Sequence, residues 1–240
     1  MKLKNLSMKK ILFAMFSLIV CNQLIAQDCN AYFPLKTGNS YELTSYNDKD
    51  KMTSVAEYKV ISVYAVGEFT EAKIHVDMTD EKGKLIDTVT YTFQCKNGDF
   101  YIDLKNYVSP SQMDAYKDMT ITITGSEMVI PSNLTVGQTL ADGTMHMDIV
   151  NNNLPFATMD VNMTNRKVES SESVTTSAGT FDCYKMTEDF LFKVATMGFG
   201  IPMNTKEVEW YSRGVGMVRS EVYSKAGKLM GYTVLTKLNI

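Results

Sequence analysis

The feature that most constrains this chain is an alternation of apolar and polar residues with a period of two. In the segment 89–95 (VTYTFQC), for example, each apolar side chain is separated from the next by a polar one. Successive side chains of a strand point to opposite faces, so this pattern predicts a strand with one buried face. The same reading predicts strands at 41–46, 55–66, 69–78, 85–95, 100–104, 119–123, 144–150, 157–168, 180–194, 206–211, 217–223 and 229–238.

Short turns join these segments, which predicts an antiparallel all-β fold. Asn97-Gly98 is a strong hairpin signal, because a type I′ turn needs positive φ at both central residues. At most one short helix is expected, at 112–117 after Ser109-Pro110. We predict a single curved antiparallel sheet, either a barrel or a half-open barrel, because curling removes exposed edges. The segment 27–240 is expected to be one β domain rather than two halves divided near 119–131.

The first 26 residues have the organisation of an export signal. Lys2, Lys4, Lys9 and Lys10 precede ten apolar residues at 11–20, and the small residue Ala26 ends the segment. Ten apolar residues are too few for a membrane span. We predict cleavage between Ala26 and Gln27 and release of an exported protein into the periplasm or the extracellular space. A lipoprotein is disfavoured, because neither Cys21 nor Cys29 follows a small residue.

The charge balance of the mature chain argues against two classes of partner. Without the four lysines of the leader, 20 basic residues face 27 acidic ones. An acidic protein has no electrostatic reason to bind nucleic acid. The basic residues are scattered along the sequence, which also argues against binding an anionic membrane surface. No later segment approaches 18 uncharged apolar residues, so a transmembrane helix is not expected.

Three cysteines remain after cleavage, which allows one disulfide and one free thiol. Cys95 ends the apolar stripe of its strand, where a free cysteine behaves as a small hydrophobe. Cys29 with Cys183 is therefore the favoured pair, while pairs that include Cys95, or three free thiols, stay open.

Catalytic and metal-binding patterns are scarce. The chain has two histidines and lacks the common nucleophile, phosphate-loop and zinc motifs, so we expect neither an enzyme nor a cofactor. His75 is predicted to share a solvated face with its charged neighbours. Met145 and Met147 flank His146, but on a strand the two thioethers point away from the imidazole, which favours core packing over a metal site.

The segment 194–205 (VATMGFGIPMNT) has no charged residue. One interpretation is a connection tucked against the core. The other is an apolar lip on a ligand pocket or partner site, formed by Met197, Phe199, Ile201 and Met203.

Three segments, 32–38 (YFPLKTG), 177–185 (SAGTFDCYK) and 209–221 (EWYSRGVGMVRSE), resemble the TapB-like exported proteins of Bacteroides-type bacteria, a group with a domain of unknown function 3108-like. The resemblance covers nearly all of the mature chain. It implies an exported protein without an established activity, so it supplies no catalytic residue. In such bacteria an Asp-Thr-Val sequence can carry an O-glycan, which makes Thr88 a candidate acceptor.

Two functions remain open after these exclusions. The first is non-enzymatic binding of an apolar or amphiphilic small molecule, such as a lipid, inside the curved sheet. The second is an envelope scaffold or interaction protein with a filled core, whose protein partner the sequence does not identify.

Overall fold

The computed structural model describes Cys29, residues 31–108 and residues 113–240. The predicted leader and the cleavage site between Ala26 and Gln27 lie outside the described residues. The strands are β1 (Ser40–Asn47), β2 (Met52–Val66), β3 (Phe69–Asp80), β4 (Leu85–Lys96), β5 (Asp99–Ile102), β6 (Thr120–Ser126), β7 (Met128–Ile130), β8 (Gly143–Asn151), β9 (Leu154–Thr176), β10 (Gly179–Thr196), β11 (Met203–Ser212), β12 (Gly216–Ser224) and β13 (Leu229–Asn239).

All thirteen strands form one antiparallel sheet in the order β6-β8-β9-β10-β11-β12-β13-β1-β2-β3-β4-β5-β7. The two edge strands, β6 and β7, are consecutive in the chain and are separated only by Glu127. Opposite edges of a thirteen-stranded sheet can be one residue apart only if the sheet curls until its edges meet. The predicted all-β fold is therefore confirmed as a nearly closed barrel.

Helical structure is limited in the described part of the chain. A 3-10 helix at Leu104–Tyr107 follows Asp103, whose side chain accepts a hydrogen bond from the Lys105 backbone N–H. The helix predicted at 112–117 begins outside the described residues, and in the remainder Met113 and Asp114 are helical before turns follow.

In three hairpin turns, a side-chain oxygen accepts hydrogen bonds from backbone N–H groups of the turn. The Asn47 side-chain oxygen accepts hydrogen bonds from the backbone N–H groups of residues 49 and 51, and Asp80 accepts the same pair from residues 82 and 84. Ser224 accepts one from residue 228. Each turn contains a left-handed residue: Asp50, Gly83 or Gly227. The predicted Asn97-Gly98 turn also has positive φ at both residues, 55° and 86°.

The turns define two ends of the barrel, because antiparallel neighbours place alternate connections at opposite ends. We call one end the upper rim. Its connections are 48–51, 81–84, 152–153, 197–202 and 225–228. The other end is the lower rim, with the connections 67–68, 97–98, 177–178 and 213–215.

The inner face carries the main apolar core. Met147 and Met159 pair directly across β8 and β9, and both are fully buried together with Met145 and Met163. His146 points to the outer face, where its imidazole contacts Asp148 and Asp160. The sequence prediction that the methionines pack inside and the histidine does not join them is confirmed.

Glycines allow close backbone approach where β6 and β7 lie against β8. A Cβ atom on Gly125, which has φ +146°, would stand 2.0 Å from the Thr144 carbonyl oxygen. A Cβ atom on Gly143 would stand 3.2 Å from the Met128 Cα. Because Met128 begins β7 and Gly143 begins β8, edge strand β7 rests directly against β8.

A buried arginine also contacts this part of the sheet. Arg166 Nε donates to Glu188 Oε2 at 2.9 Å, and the two side chains are 2% and 6% exposed. Arg166 Nη1 also donates to the carbonyl oxygens of Val129 in β7, at 3.0 Å, and of Ala141, at 2.7 Å. The guanidinium thus links β9 and β10 to the edge strand β7.

The cysteine pairing predicted from the sequence is wrong. Cys29 is bonded to Cys95, and Cys183 is a buried free thiol. Cys95 does lie on the inner face, as expected, and is fully buried. The N-terminal segment, however, also lies inside: Tyr32 and Phe33 are buried in the core, and they bring Cys29 to Cys95. An inward-facing cysteine could be excluded from a bridge only if no other chain segment entered the barrel.

Candidate functional site

The residues predicted as an apolar lip lie on the upper rim. The exposed fractions of Met197, Phe199, Ile201 and Met203 are 74%, 86%, 92% and 47%. The interpretation that this segment is tucked against the core is therefore wrong. The turn itself is held in place, because the Met197 N–H donates to the Phe156 carbonyl at 3.0 Å and Thr196 bridges to Phe199.

This exposure leads to a stability prediction for Phe199→Asp. A solvated carboxylate in place of an exposed ring should change the free energy of unfolding by less than about 0.5 kcal/mol. The melting temperature measured by circular dichroism should match that of the unmodified protein. Val161→Asp, at a fully buried inner-face position, serves as the opposite control and should lower it sharply. A large decrease for Phe199→Asp would contradict the exposed placement.

Two other polar candidates from the sequence lie on the outer surface. Thr88 is exposed on β4, and its hydroxyl donates to Asp77 at 2.8 Å and lies 3.4 Å from His75 Nε2. His75 is 40% exposed, as its solvated pattern predicts. Asp160 is the main cause that raises the pKa of His146 above its ordinary value, with Asp148 adding to the effect. Modification of Thr88 stays a prediction.

An aromatic cavity of about 290 Å³ lies inside the barrel toward the lower rim. It is lined by Phe33, Tyr41, Leu43, Tyr58, Tyr91, Phe93, Ile102, Asn106, Glu209, Tyr211 and Met217. The lining comes from the buried N-terminal segment, from strands β1, β2, β4, β5, β11 and β12, and from the 3-10 helix, which carries Asn106. The lip residues on the upper rim are not part of it.

Ring stacking fixes the cavity wall. Tyr41 and Tyr58 stack with centroids 4.6 Å apart and planes 7° from parallel. Phe33 stays within 6.1 Å of Phe93 and 6.0 Å of Tyr211. Aromatic pairs at such distances are stabilising beyond the area that they bury, so this wall is preformed.

Gly216 positions the N-terminal segment that closes the cavity. It has φ +103°, a conformation that L residues rarely adopt. A Cβ atom there would stand 3.1 Å from the Tyr32 carbonyl oxygen and 3.4 Å from the Phe33 ring. The glycine therefore lets the start of β12 lie against the segment that supplies Phe33.

Two polar groups face this aromatic wall. Asn106 Nδ2 is fully buried and has no hydrogen-bond partner. Burial raises the pKa of Glu209 well above its ordinary value, and the nearby Glu188 and Glu207 raise it further. Its carboxyl group is hydrogen-bonded to Tyr211. The cavity lining therefore combines aromatic rings with one amide and one carboxyl group.

Glu209 belongs to a row of inner-face carboxyl groups. Glu207 pairs directly with Glu188, and Glu209 pairs with Met186, so all three glutamates share one face of β10 and β11. Arg166 balances the charge of Glu188. Burial and the neighbouring Glu188 raise the pKa of Glu207 from 4.5 to about 7.

The raised pKa of Glu207 predicts a pH dependence of stability. Between pH 4.5 and pH 7 the folded protein binds this proton more tightly than the unfolded chain, so its stability decreases as pH rises. We expect a loss of ~2 kcal/mol from pH 5 to pH 8 in urea unfolding, and a clearly smaller loss for Glu207→Gln. The exposed Glu57→Gln serves as control and should keep the full loss. An equal loss in the Glu207 variant would contradict the assigned protonation.

A larger groove of about 620 Å³ lies on the outer face of strands β9 to β12. Its lining includes the cross-strand pair Asp189 and Lys206, and also Glu221 and Lys185. Asp189 and Lys206 alternate with the inner-face residues Glu188 and Glu207, which places them on the opposite face. This groove combines charged side chains with Phe190, Leu191 and Val208, and it is about as open to solvent as the aromatic cavity.

The sequence profile of the DUF3108-like family matches residues 36–235. The chain belongs to the DUF3108-like family. The resemblance seen in the three sequence segments is thereby confirmed. Two of those segments, 32–38 and 209–221, supply Phe33, Glu209, Tyr211 and Met217 to the aromatic cavity of this DUF3108-like protein. No curated protein matches the chain.

Two solved structures are similar to this DUF3108-like protein. An exported protein of Bacteroides fragilis with a YmcC-like fold has 22% identity and a TM-score of 0.65, over 87% of this chain and 99% of its own. A lipoprotein of Parabacteroides distasonis has 27% identity and a TM-score of 0.66, over 89% of this chain and 100% of its own. The first likeness shows the fold, and the descriptions of both agree with the predicted export. The DUF3108-like protein is exported.

No helix in the described residues is both long and apolar enough to cross a membrane.

The sequence does not predict that Glu207 and Glu209 face the inside of the barrel. In β11 the apolar Val208 and Trp210 alternate with Glu207, Glu209 and Tyr211, which suggests that the glutamates point outward. The structure places those glutamates inside, and no signal in the local pattern distinguishes the two orientations.

Proposed function

We propose that this DUF3108-like protein binds a small apolar or amphiphilic molecule in the aromatic cavity and is not an enzyme. The observation that carries the proposal is a cavity of about 290 Å³ whose lining includes six aromatic rings. Transfer of apolar ligand surface from water to such a wall is favourable by about 25 cal/mol per Å².

The cavity chemistry narrows the class of ligand. Its volume of about 290 Å³ is at the small end for ligand sites, which favours one ring system or a short acyl chain. Asn106, which lines the cavity, favours a ligand with a hydrogen-bonding oxygen, such as a carbonyl, hydroxyl or ether.

Binding of the neutral dye 1-aminonaphthalene, which has a single ring system, tests this proposal. Met217→Trp fills the cavity and should weaken dye binding at least tenfold. Ile61→Trp, at an exposed position on β2, adds the same ring outside the cavity and should leave binding unchanged. Asn106→Leu removes the amide donor and should weaken binding of oxygen-bearing probes more than that of the dye.

Native mass spectrometry of protein isolated from its own cell envelope gives the second measurement. A retained small molecule that Met217→Trp abolishes would support ligand binding. If neither the dye nor a retained molecule is detected in the unmodified protein, the proposal fails. The protein would then be better described as an envelope scaffold, for which the filled methionine core on β8 and β9 is the favouring observation.

A further inference from the structure

The upper rim gathers exposed apolar side chains. Among the described residues, thirteen large hydrophobic side chains are exposed. Eight of these lie in or next to upper-rim connections. In addition to Met197, Phe199, Ile201 and Met203 they are Leu85, Ile86, Leu154 and Met230. Five of the eight lie in or beside the adjacent β8–β9 and β10–β11 hairpins, whereas Leu85, Ile86 and Met230 lie beside the β3–β4 and β12–β13 turns.

The most apolar part of this rim projects and carries no charge. The two chain segments 149–159 and 194–205 contain no Asp, Glu, Lys or Arg. They form the adjacent β8–β9 and β10–β11 hairpins, and the hydrogen bond from Met197 N–H to the Phe156 carbonyl joins them. Phe199 and Ile201 at the tip are the most exposed large hydrophobic residues described. Neither has a charged neighbour in these segments that would have to leave water on insertion into an apolar phase.

Three turns of the upper rim carry most of its lysines. The connections 48–51, 81–84 and 225–228 hold six exposed lysines and three exposed carboxylates, and Asp80 and Asp87 flank the second of these turns. The lysines are Lys49, Lys51, Lys82, Lys84, Lys225 and Lys228. Asp48 pairs with Lys228 at 3.0 Å, and Asp50 accepts a hydrogen bond from the Tyr232 hydroxyl at 3.0 Å, so five of the six lysines are left without an ion pair in these turns. The lower-rim connections hold one base and one acid, Arg213 and Glu68.

We propose that the upper rim docks this protein on an anionic lipid bilayer. Phe199 and Ile201 would enter the boundary between headgroups and acyl chains, while the lysine-bearing turns contact the anionic headgroups. Apolar residues flanked by lysines are the pattern by which proteins lie at a membrane interface, and each lysine near an anionic surface adds to the attraction. The aromatic cavity lies toward the lower rim, so this proposal does not depend on ligand binding.

Sedimentation with lipid vesicles tests the proposal. The exported protein should pellet with phosphatidylglycerol vesicles and far less with phosphatidylcholine vesicles, and raising the salt concentration should release it. Phe199→Ser/Ile201→Ser should lower the apparent partition coefficient at least tenfold, because two inserted side chains are lost. Lys82→Gln/Lys84→Gln/Lys225→Gln should lower it by about fivefold per lysine on anionic vesicles.

Matched controls use the lower rim. Val66→Ser/Ile240→Ser removes exposed apolar side chains there, and Lys36→Gln/Lys59→Gln removes exposed charges. Both should bind vesicles as the unmodified protein does, and every variant should melt at the same temperature. The proposal is overturned if the unmodified protein stays in solution with phosphatidylglycerol vesicles. It is equally overturned if the lower-rim controls lose as much binding as the upper-rim variants.

Discussion

Arg166→Met is expected to lower the free energy of unfolding by about 3–5 kcal/mol, since it strands the Glu188 carboxylate in the barrel. The substitution removes the 2.9 Å ion pair and also the hydrogen bonds to the Val129 and Ala141 carbonyls. Because Val129 lies in edge strand β7, this edge of the sheet should open as well. Urea unfolding measures the first effect, and amide hydrogen exchange of β7 measures the second.

Two further variants separate the buried charge from the lost side-chain volume. Arg166→Met/Glu188→Leu removes both charges, and we expect it to regain most of the lost stability. Lys167 is the next residue of the same strand, and it forms an exposed ion pair with Glu169. Lys167→Met removes this pair and should have no measurable effect on the free energy of unfolding. If the double variant were as unstable as Arg166→Met, packing rather than an unpaired carboxylate would be the cause.

Cys29→Ala is expected to cost about 4 kcal/mol, which is the chain-entropy value for a disulfide that closes a loop of this length. The Cys29–Cys95 bridge has a sequence separation of 66 residues. It also ties the buried segment that carries Phe33 to β4, so its loss should loosen the aromatic cavity. Thermal unfolding with and without a reductant measures the effect.

Cys183 supplies the matched control for the disulfide. Burial raises the pKa of the Cys183 thiol to about 11, so a thiolate that could attack the disulfide is scarce at neutral pH. Cys183→Ala should therefore keep the full sensitivity to reductant, whereas Cys29→Ala should have none. Reductant sensitivity in the Cys29 variant would show that the thiols pair differently.

Strand content was readable from the sequence because the alternation is local. Strand β4 was predicted at 85–95 and runs from Leu85 to Lys96, and the Asn97-Gly98 turn has the φ values that its residues favour. The inward methionines on β8 follow from the same period of two. These features depend on side-chain direction along a single strand, which short-range sequence specifies.

The alternation of apolar and polar residues did not predict the structure where a strand shifts register or where segments distant in sequence come into contact. Asn165 has φ 54° at an irregularity between β9 and β10, which turns Arg166 inward opposite Glu188. The pairing of Cys29 with Cys95 depends on an N-terminal segment that enters the barrel, and no local pattern encodes that entry. The exposed placement of Phe199 likewise follows from where its hairpin lies in the sheet.

The sequence alone determined an exported, acidic, antiparallel β protein with an apolar, uncharged turn near Phe199. The tertiary structure decided how the sheet closes, because Glu127 joins the two edge strands and so forces the edges together. It also decided that lysines distant in sequence share one rim, and that rings from the N-terminal segment and from β1, β2, β4 and β11 line the cavity. The alternation of buried and exposed side chains is a property of a single strand, because successive side chains point to opposite faces. The composition of the upper rim and of the aromatic cavity depends instead on which strands lie next to one another in the sheet.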